Sequence, residues 1–213
     1  MIAATALEGP KTPQATIRAI CDKQGGLVDL WEASPVRVES NTPQTETIID
    51  ALFPGNPLLC CGWSKHRFDT RPRDNWHKMD QLQFIVPNPM MAREGKTKTG
   101  KNSAHSLENT GPRRFLIIEQ DEGEVDQQAS ILLHLAEIAP MALALHSGGK
   151  SLHGWFYFEG VQEEETNQFM KYAVTLGADP VTWTRSQFVR IPDGLRDKGQ
   201  RQAVYFFNPE VIP

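Results

Sequence analysis

Two short stretches of this chain carry residue types that could do chemistry together. The first, FLIIEQD, ends in Glu119 and Asp121. Carboxylates two positions apart on a strand share a face. They repel each other unless a cation sits between them. Hard divalent ions such as Mg²⁺ or Mn²⁺ favour such oxygen ligands alongside the phosphate oxygens of a substrate. The second stretch, HSGGKSLHGW, is a small polar turn with an apolar run on either side. Gly148 and Gly149 let backbone approach an anion closely and present N–H groups to it. Lys150 adds charge, and His153 can donate to a phosphate. Together the two stretches suggest a metal–triphosphate site. Each has an ordinary reading when taken alone: a solvated strand end, a hairpin, a structural histidine.

The elements around them decide whether they meet. RRFLIIEQD (113–121) reads as a strand. VDQQASILLHLAEIA (125–139) reads as an amphipathic helix with Ile131, Leu132, Leu135 and Ile138 on one face. MALALHS and SLHGWFYFE are strands joined by the turn. EEETNQFMKYAVTLG (163–177) is a second helix, acidic at its start and stopped by Gly177. QAVYFFNP is a fourth strand. This β-α-β-β-α-β order predicts an α+β fold with a ferredoxin-like, RRM-like core over residues 113–213. In that topology the first and third strands lie side by side in the sheet centre. Leu152, Gly154, Phe156 and Phe158 then pack under the helices. Ser151, His153, Trp155 and Tyr157 share an open face with Glu119 and Asp121.

Residues 1–112 read as an N-terminal α/β module packed against this core, the two forming one domain. Thr12-Pro13 opens a helix that runs to about Lys23 and stops at Gly25-Gly26. Thr42-Pro43 opens a second, TETIIDALF. Short strands PLLCCGW and QLQFIVP follow, then a long polar loop over 87–112. The N-terminus lacks the basic start and apolar core of a secretory signal, and no apolar run approaches the ~18 residues of a membrane span. A cytoplasmic protein without a membrane partner is expected. The three cysteines include the adjacent pair Cys60 and Cys61, and no C-x-x-C occurs. Disulfides and zinc are not expected, because PLLCCGW reads as a buried strand. The net charge of −4 argues against a wholly basic nucleic-acid coat protein and leaves room for local basic surfaces. Lys96, Lys98, Lys101, Arg113 and Arg114 form one basic cluster. Arg185, Arg190, Arg196, Lys198 and Arg201 form another. Each reads as a solvated loop when taken alone.

Over residues 113–208 the chain resembles the archaeo-eukaryotic primase superfamily, the primase–polymerases. Three motifs match in order: FLIIEQD, HSGGKSLHGW and GADPVTWTRSQFVRIPDG. The resemblance implies a DNA primase or primase–polymerase of a mobile element, phage or plasmid. It would join NTPs or dNTPs on a single-stranded DNA template by two-metal chemistry with Mg²⁺ or Mn²⁺. Glu119, Asp121 and Asp179 would hold the metals. Ser147, Lys150, Ser151, His153, Arg190 and Arg196 would bind the nucleotide. Trp155, Tyr157 or Trp183 could stack template bases, or each could be core or rim packing. Glu119 stands where the family's first motif more commonly has aspartate. No G-x-x-x-x-G-K-[ST] occurs, so unwinding would belong to a partner helicase or to a helicase domain of a longer chain. Two alternatives use the same residues: a single-strand-binding module with a decayed site, and a metal-dependent nuclease. A ferredoxin-like structural domain is the fourth reading.

Overall fold

The computed structural model describes residues 13–39, 42–196 and 199–213. Thr12 and Lys198 lie outside the described residues. The first part holds α1 (Pro13–Gln24), α2 (Leu27–Glu32), α3 (Thr45–Leu52), β1 (Leu58–Ser64), β2 (Arg67–Pro72), β3 (Phe84–Ile85), β4 (Gly95–Lys96) and β5 (Asn102–Ser103). The second holds β6 (Phe115–Gln120), α4 (Val125–Ala136), β7 (Met141–His146), β8 (Leu152–Tyr157), α5 (Glu163–Thr175), β9 (Val189–Arg190) and β10 (Val204–Phe207). The fold is α+β. Among the described residues its strands form three antiparallel sheets, ordered β10-β7-β8-β6, β2-β1-β3-β9 and β4-β5. Among the described residues, no helix is long and apolar enough to cross a membrane.

The first and third strands of the second half, β6 and β8, do pair side by side. They are not both central, however. β6 is an edge strand, and the C-terminal strand β10 pairs with β7 at the opposite edge. A ferredoxin-like order would place the fourth strand beside the first. After α5 the chain does return to the free edge of β6, where Ala178 bridges Gln120 and the Asp179 N–H donates to the Glu119 carbonyl at 3.0 Å. The pairing stops there because the next N–H that would face β6, that of Val181, donates to Asp179 Oδ1 instead as the chain enters a turn. Asp179 thus caps a 3₁₀ turn over Pro180–Trp183. The strand expected at that edge is therefore a single bridge, and QAVYFFNP extends the other side of the sheet.

Both faces of this sheet are buried. On one, Leu116, Ile118, Leu152 and Phe156 pack against Leu132 and Leu135 of α4 and Phe169 and Met170 of α5. Gly154 makes this possible, since a Cβ there would lie 2.8 Å from the Leu132 side chain. Ile138, expected on the buried stripe, is 56% exposed because α4 ends at Ala136. On the other face, Phe115, Ile117, Leu143, Leu145 and Trp155 pack against α3 and the β2-β1-β3-β9 sheet through Ile48, Leu52, Cys61, Ile85 and Val189. The face expected to be open is thus the middle of a two-sheet core. The apolar runs FLII and MALAL are what strands buried on both sides look like.

The two halves of the chain interlock. β9 joins the sheet of the first half through β3, and α1 and α2 pack on α4. Cys60 faces the outer cluster around Phe84 and Phe188, whereas Cys61 faces the inner core. Burial pushes the Cys60 thiol up to about 12 and raises Cys61 well above its ordinary value, so both stay protonated.

Candidate functional site

The register of β6 on β8 sets Glu119 opposite His153, and that of β7 on β8 sets Leu145 opposite the same histidine. Glu119 and His153 therefore stand at the end of the two-sheet core, where apolar pairs give way to polar ones. His153 Nε2 lies 3.2 Å from Glu119 Oε1. Ser151 Oγ is 3.3 Å from the same nitrogen and 3.5 Å from the same carboxylate oxygen. Ser151 Oγ also lies 3.0 Å from Ser147 Oγ. The turn is closed by the Ser147 N–H donating to the Ser151 carbonyl at 2.8 Å, with Gly148 at φ 72°. The first and second motifs thus form one hydrogen-bonded chain from carboxylate to turn.

Arg196 lies across that turn. Its Nη1 donates to the Ser147 carbonyl at 3.3 Å. A Cβ at Gly149 would meet the same nitrogen at 2.9 Å, and a Cβ at Gly148 would lie 3.2 Å from the Arg201 carbonyl. The glycines therefore make room for the arginine as well as for any anion. Arg190 stacks over Phe84 at 4.6 Å and acts electrostatically on Glu119. His146, beside the turn, has its pKa lowered by burial and by the nearby His153 and Arg196 charges. It accepts from the Gly148 N–H through Nδ1 at 3.3 Å.

Burial raises the pKa of Glu119. The hydrogen bond and charge of His153, the charge of Arg190 and the hydrogen bond of Ser151 outweigh it, and the net shift is downward. The carboxylate is ionised in the folded state. A folded pKa below the unfolded one contributes stability above the unfolded value, and that stability is lost as pH falls through the folded one. The melting temperature is therefore expected to fall on acidification below pH ~4.3, the ordinary glutamate range. In Glu119→Gln this part of the acid limb should flatten. An acid limb identical to wild type between pH 5 and 3 would remove the carboxylate from that account.

The other acids take different places. β6 ends at Gln120, so strand alternation no longer fixes the direction of Asp121, which is half-buried just beyond it. Asp179 is tied by its backbone to Glu119, but its Oδ1 accepts from the Val181 N–H at 2.9 Å. Among the described residues, no group of three or more His, Cys, Asp and Glu side chains could hold a metal together. Lys150 is exposed at the tip of the turn. Trp155 is fully buried, which removes it as a base-stacking platform.

The cluster does not have the wiring of a nucleophilic triad. Such a relay uses one ring nitrogen for the serine and the other for the acid. Here Ser151 and Glu119 both address Nε2, while Nδ1 is buried without a hydrogen-bond partner among the described residues. His153 holds Glu119 in place.

Gln128 joins the two motif stretches, and sequence reasoning passed it over. It is fully buried on α4. Its Nε2 donates to the carbonyls of Gly123 and Lys150, both at 3.1 Å, and its Oε1 accepts from the Leu152 N–H at 2.8 Å. One amide thus clamps the loop after Asp121 to the Ser-Gly-Gly-Lys turn. A polar residue on the apolar stripe of a helix was the only signal. Gln128→Ala leaves these backbone groups unpaired, and each buried loss costs ~1–3 kcal/mol. A drop in denaturation midpoint is expected, and an unchanged midpoint would mean that the loop and turn hold their places without it.

No family model, curated protein or solved structure matches the chain.

Proposed function

We propose that the chain is a primase–polymerase, a nucleotidyltransferase that joins NTPs or dNTPs on a single-stranded DNA template. The observation that carries the reading is the junction itself. An ionised Glu119 is linked through His153 and Ser151 to a glycine turn, with Arg190 and Arg196 beside it. A carboxylate that favours a metal and a basic turn that favours phosphates are the two halves of a nucleoside-triphosphate site.

A divalent metal fits the donor set in part. Glu119 Oε1 is engaged by His153 and Ser151, while Oε2 has no hydrogen-bond partner among the described residues. Asp121 likewise makes no side-chain hydrogen bond among them. Glu119 and Asp121 would hold the ion, with phosphate oxygens completing its shell, and Asp179 would position the Glu119 backbone. Bound there, Mg²⁺ or Mn²⁺ would supply charge neutralisation at the phosphates and activation of the attacking hydroxyl. The chain's own residues do the rest. Lys150 and Arg196 attract the triphosphate to the turn, and Arg190 adds positive charge at the junction. His153 keeps the Glu119 carboxylate oriented and ionised.

The test is synthesis on single-stranded DNA with labelled dNTPs or rNTPs, Mg²⁺ or Mn²⁺, with and without primer. Metal-dependent product supports the reading, and product without primer makes the protein a primase. A second reading, a single-strand-binding module that no longer catalyses, draws on Glu119, which stands where the first motif of the resembled family more commonly has aspartate. It calls for strand binding with no product in any lane. Degradation of the strand without NTPs would favour a nuclease.

A further inference from the structure

Charge is unevenly spread along the chain. Residues 57–112 hold nine lysines and arginines against five acids, a balance of +4 in a chain whose total is −4. A polyanion would be drawn to this part of the molecule first.

Within it, the β1–β2 hairpin has a built surface. Lys65, His66 and Arg67 are exposed at its tip. The Arg67 guanidinium lies over the half-buried Trp63 ring at 4.7 Å. Arg71 lies 6.0 Å from the same ring and 4.8 Å from that of Trp76, and Trp63 and Trp76 are themselves 5.7 Å apart. Cations and aromatic rings thus alternate along one side of an edge strand. Stacking on indole holds a guanidinium in one plane and leaves its N–H fork free for phosphate oxygens. Asp69 pairs with Arg71 at 2.7 Å, so Arg71 is partly neutralised. Lys65 and Arg67 have no ion-pair partner among the described residues.

The hairpin is also in line with the candidate site. Phe68, Gly62, Phe84 and Arg190 stand opposite one another across β2-β1-β3-β9. Trp63 and Arg67 adjoin the first two of these and by strand alternation face the other side of the sheet, that of the inner core at whose end Glu119 stands. Three strand spacings of ~4.8 Å put the tip about 15 Å from Arg190. A strand whose end lies at Arg190 would need only a few nucleotides to reach the hairpin.

We infer that the Trp63–Arg67–Arg71 ladder and the Lys65 tip form a phosphate-backbone track for a single-stranded nucleic acid leading to the Glu119–Arg190 junction. The inference rests on the nucleic-acid reading of that junction. It does not need the junction to be catalytic.

The experiment is equilibrium binding of a labelled 20-nucleotide oligo-dT by anisotropy across a salt series, without NTPs or metal. The proteins are wild type, Lys65→Glu/Arg67→Glu, and Lys171→Glu on the exposed side of α5 as a charge control. Circular dichroism checks that each is folded. The double variant is expected to bind at least ~10-fold more weakly. Its slope of log K against log salt should be shallower by ~1.4, the value for two lost phosphate contacts on a single strand. Trp63→Phe, which keeps an aromatic face, should stay near wild type. Unchanged affinity and slope in the double variant would overturn the track. An equal loss in Lys171→Glu would also overturn it, because attraction would then be general rather than local. Wild-type protein that makes no product, together with a double variant that loses binding, would sink the polymerase reading and leave the track standing.

Discussion

Asp121→Ala is expected to reduce templated synthesis at least ~10³-fold while leaving the melting temperature within a degree or two of wild type. The size follows from the several kcal/mol of charge stabilisation that a metal supplies in phosphoryl transfer, at ~1.4 kcal/mol per factor of ten. The unaffected fold follows from position. Asp121 lies past the end of β6, half-exposed, and makes no side-chain hydrogen bond among the described residues. Substitutions at such sites usually stay within ~0.5 kcal/mol. Asp179 gives the informative contrast. Its carboxylate accepts from the Val181 N–H at the head of a 3₁₀ turn, a task that asparagine performs as well. Asp179→Asn is therefore expected to keep most of the activity. If Asp179→Asn abolished synthesis and Asp121→Ala did not, the metal-holding pair would be Glu119 and Asp179, and Asp121 would be a solvated strand end.

Local chemistry in this chain is legible and long-range layering is not. The Ser147–Ser151 turn, the strand that carries Glu119 and the helix that begins at Glu163 follow from turn residues, alternation and helical period. The pairing of β6 with β8 follows from the order of elements, and it alone brings Glu119 to His153. What lies over that pair does not follow. No rule of spacing says that β9, some 70 residues after β6, joins the sheet of the first half and carries Arg190 there. The choice between β7 and β6 as the neighbour of the last strand is equally remote from local sequence. On the β6 edge pairing ends at Asp179, whose carboxylate takes the Val181 N–H that a longer ladder would use. Gln128 was hidden for a different reason. Its role depends on two loops that only the fold brings to its amide.

Trp155 tests the layering directly. As a tryptophan on the strand that carries His153, it could stack template bases or serve as core or rim packing. The structure gives it no exposure and packs its ring against Phe115 at 5.5 Å and Phe53 at 6.5 Å, between the two sheets. Trp155→Ala is expected to cost ~3–5 kcal/mol, the usual range for emptying a large aromatic site. That is a large part of the ~5–15 kcal/mol that holds a domain together, so the variant should melt far below wild type or fail to accumulate folded. Trp155→Phe is expected to lose much less. It keeps the ring packing, and the indole N–H that it removes is buried without a partner among the described residues. A stacking platform would behave in the opposite way. Both variants would melt like wild type, and Trp155→Ala would weaken oligo-dT binding. That outcome would place Trp155 at an open face and require the two sheets to part when a strand binds.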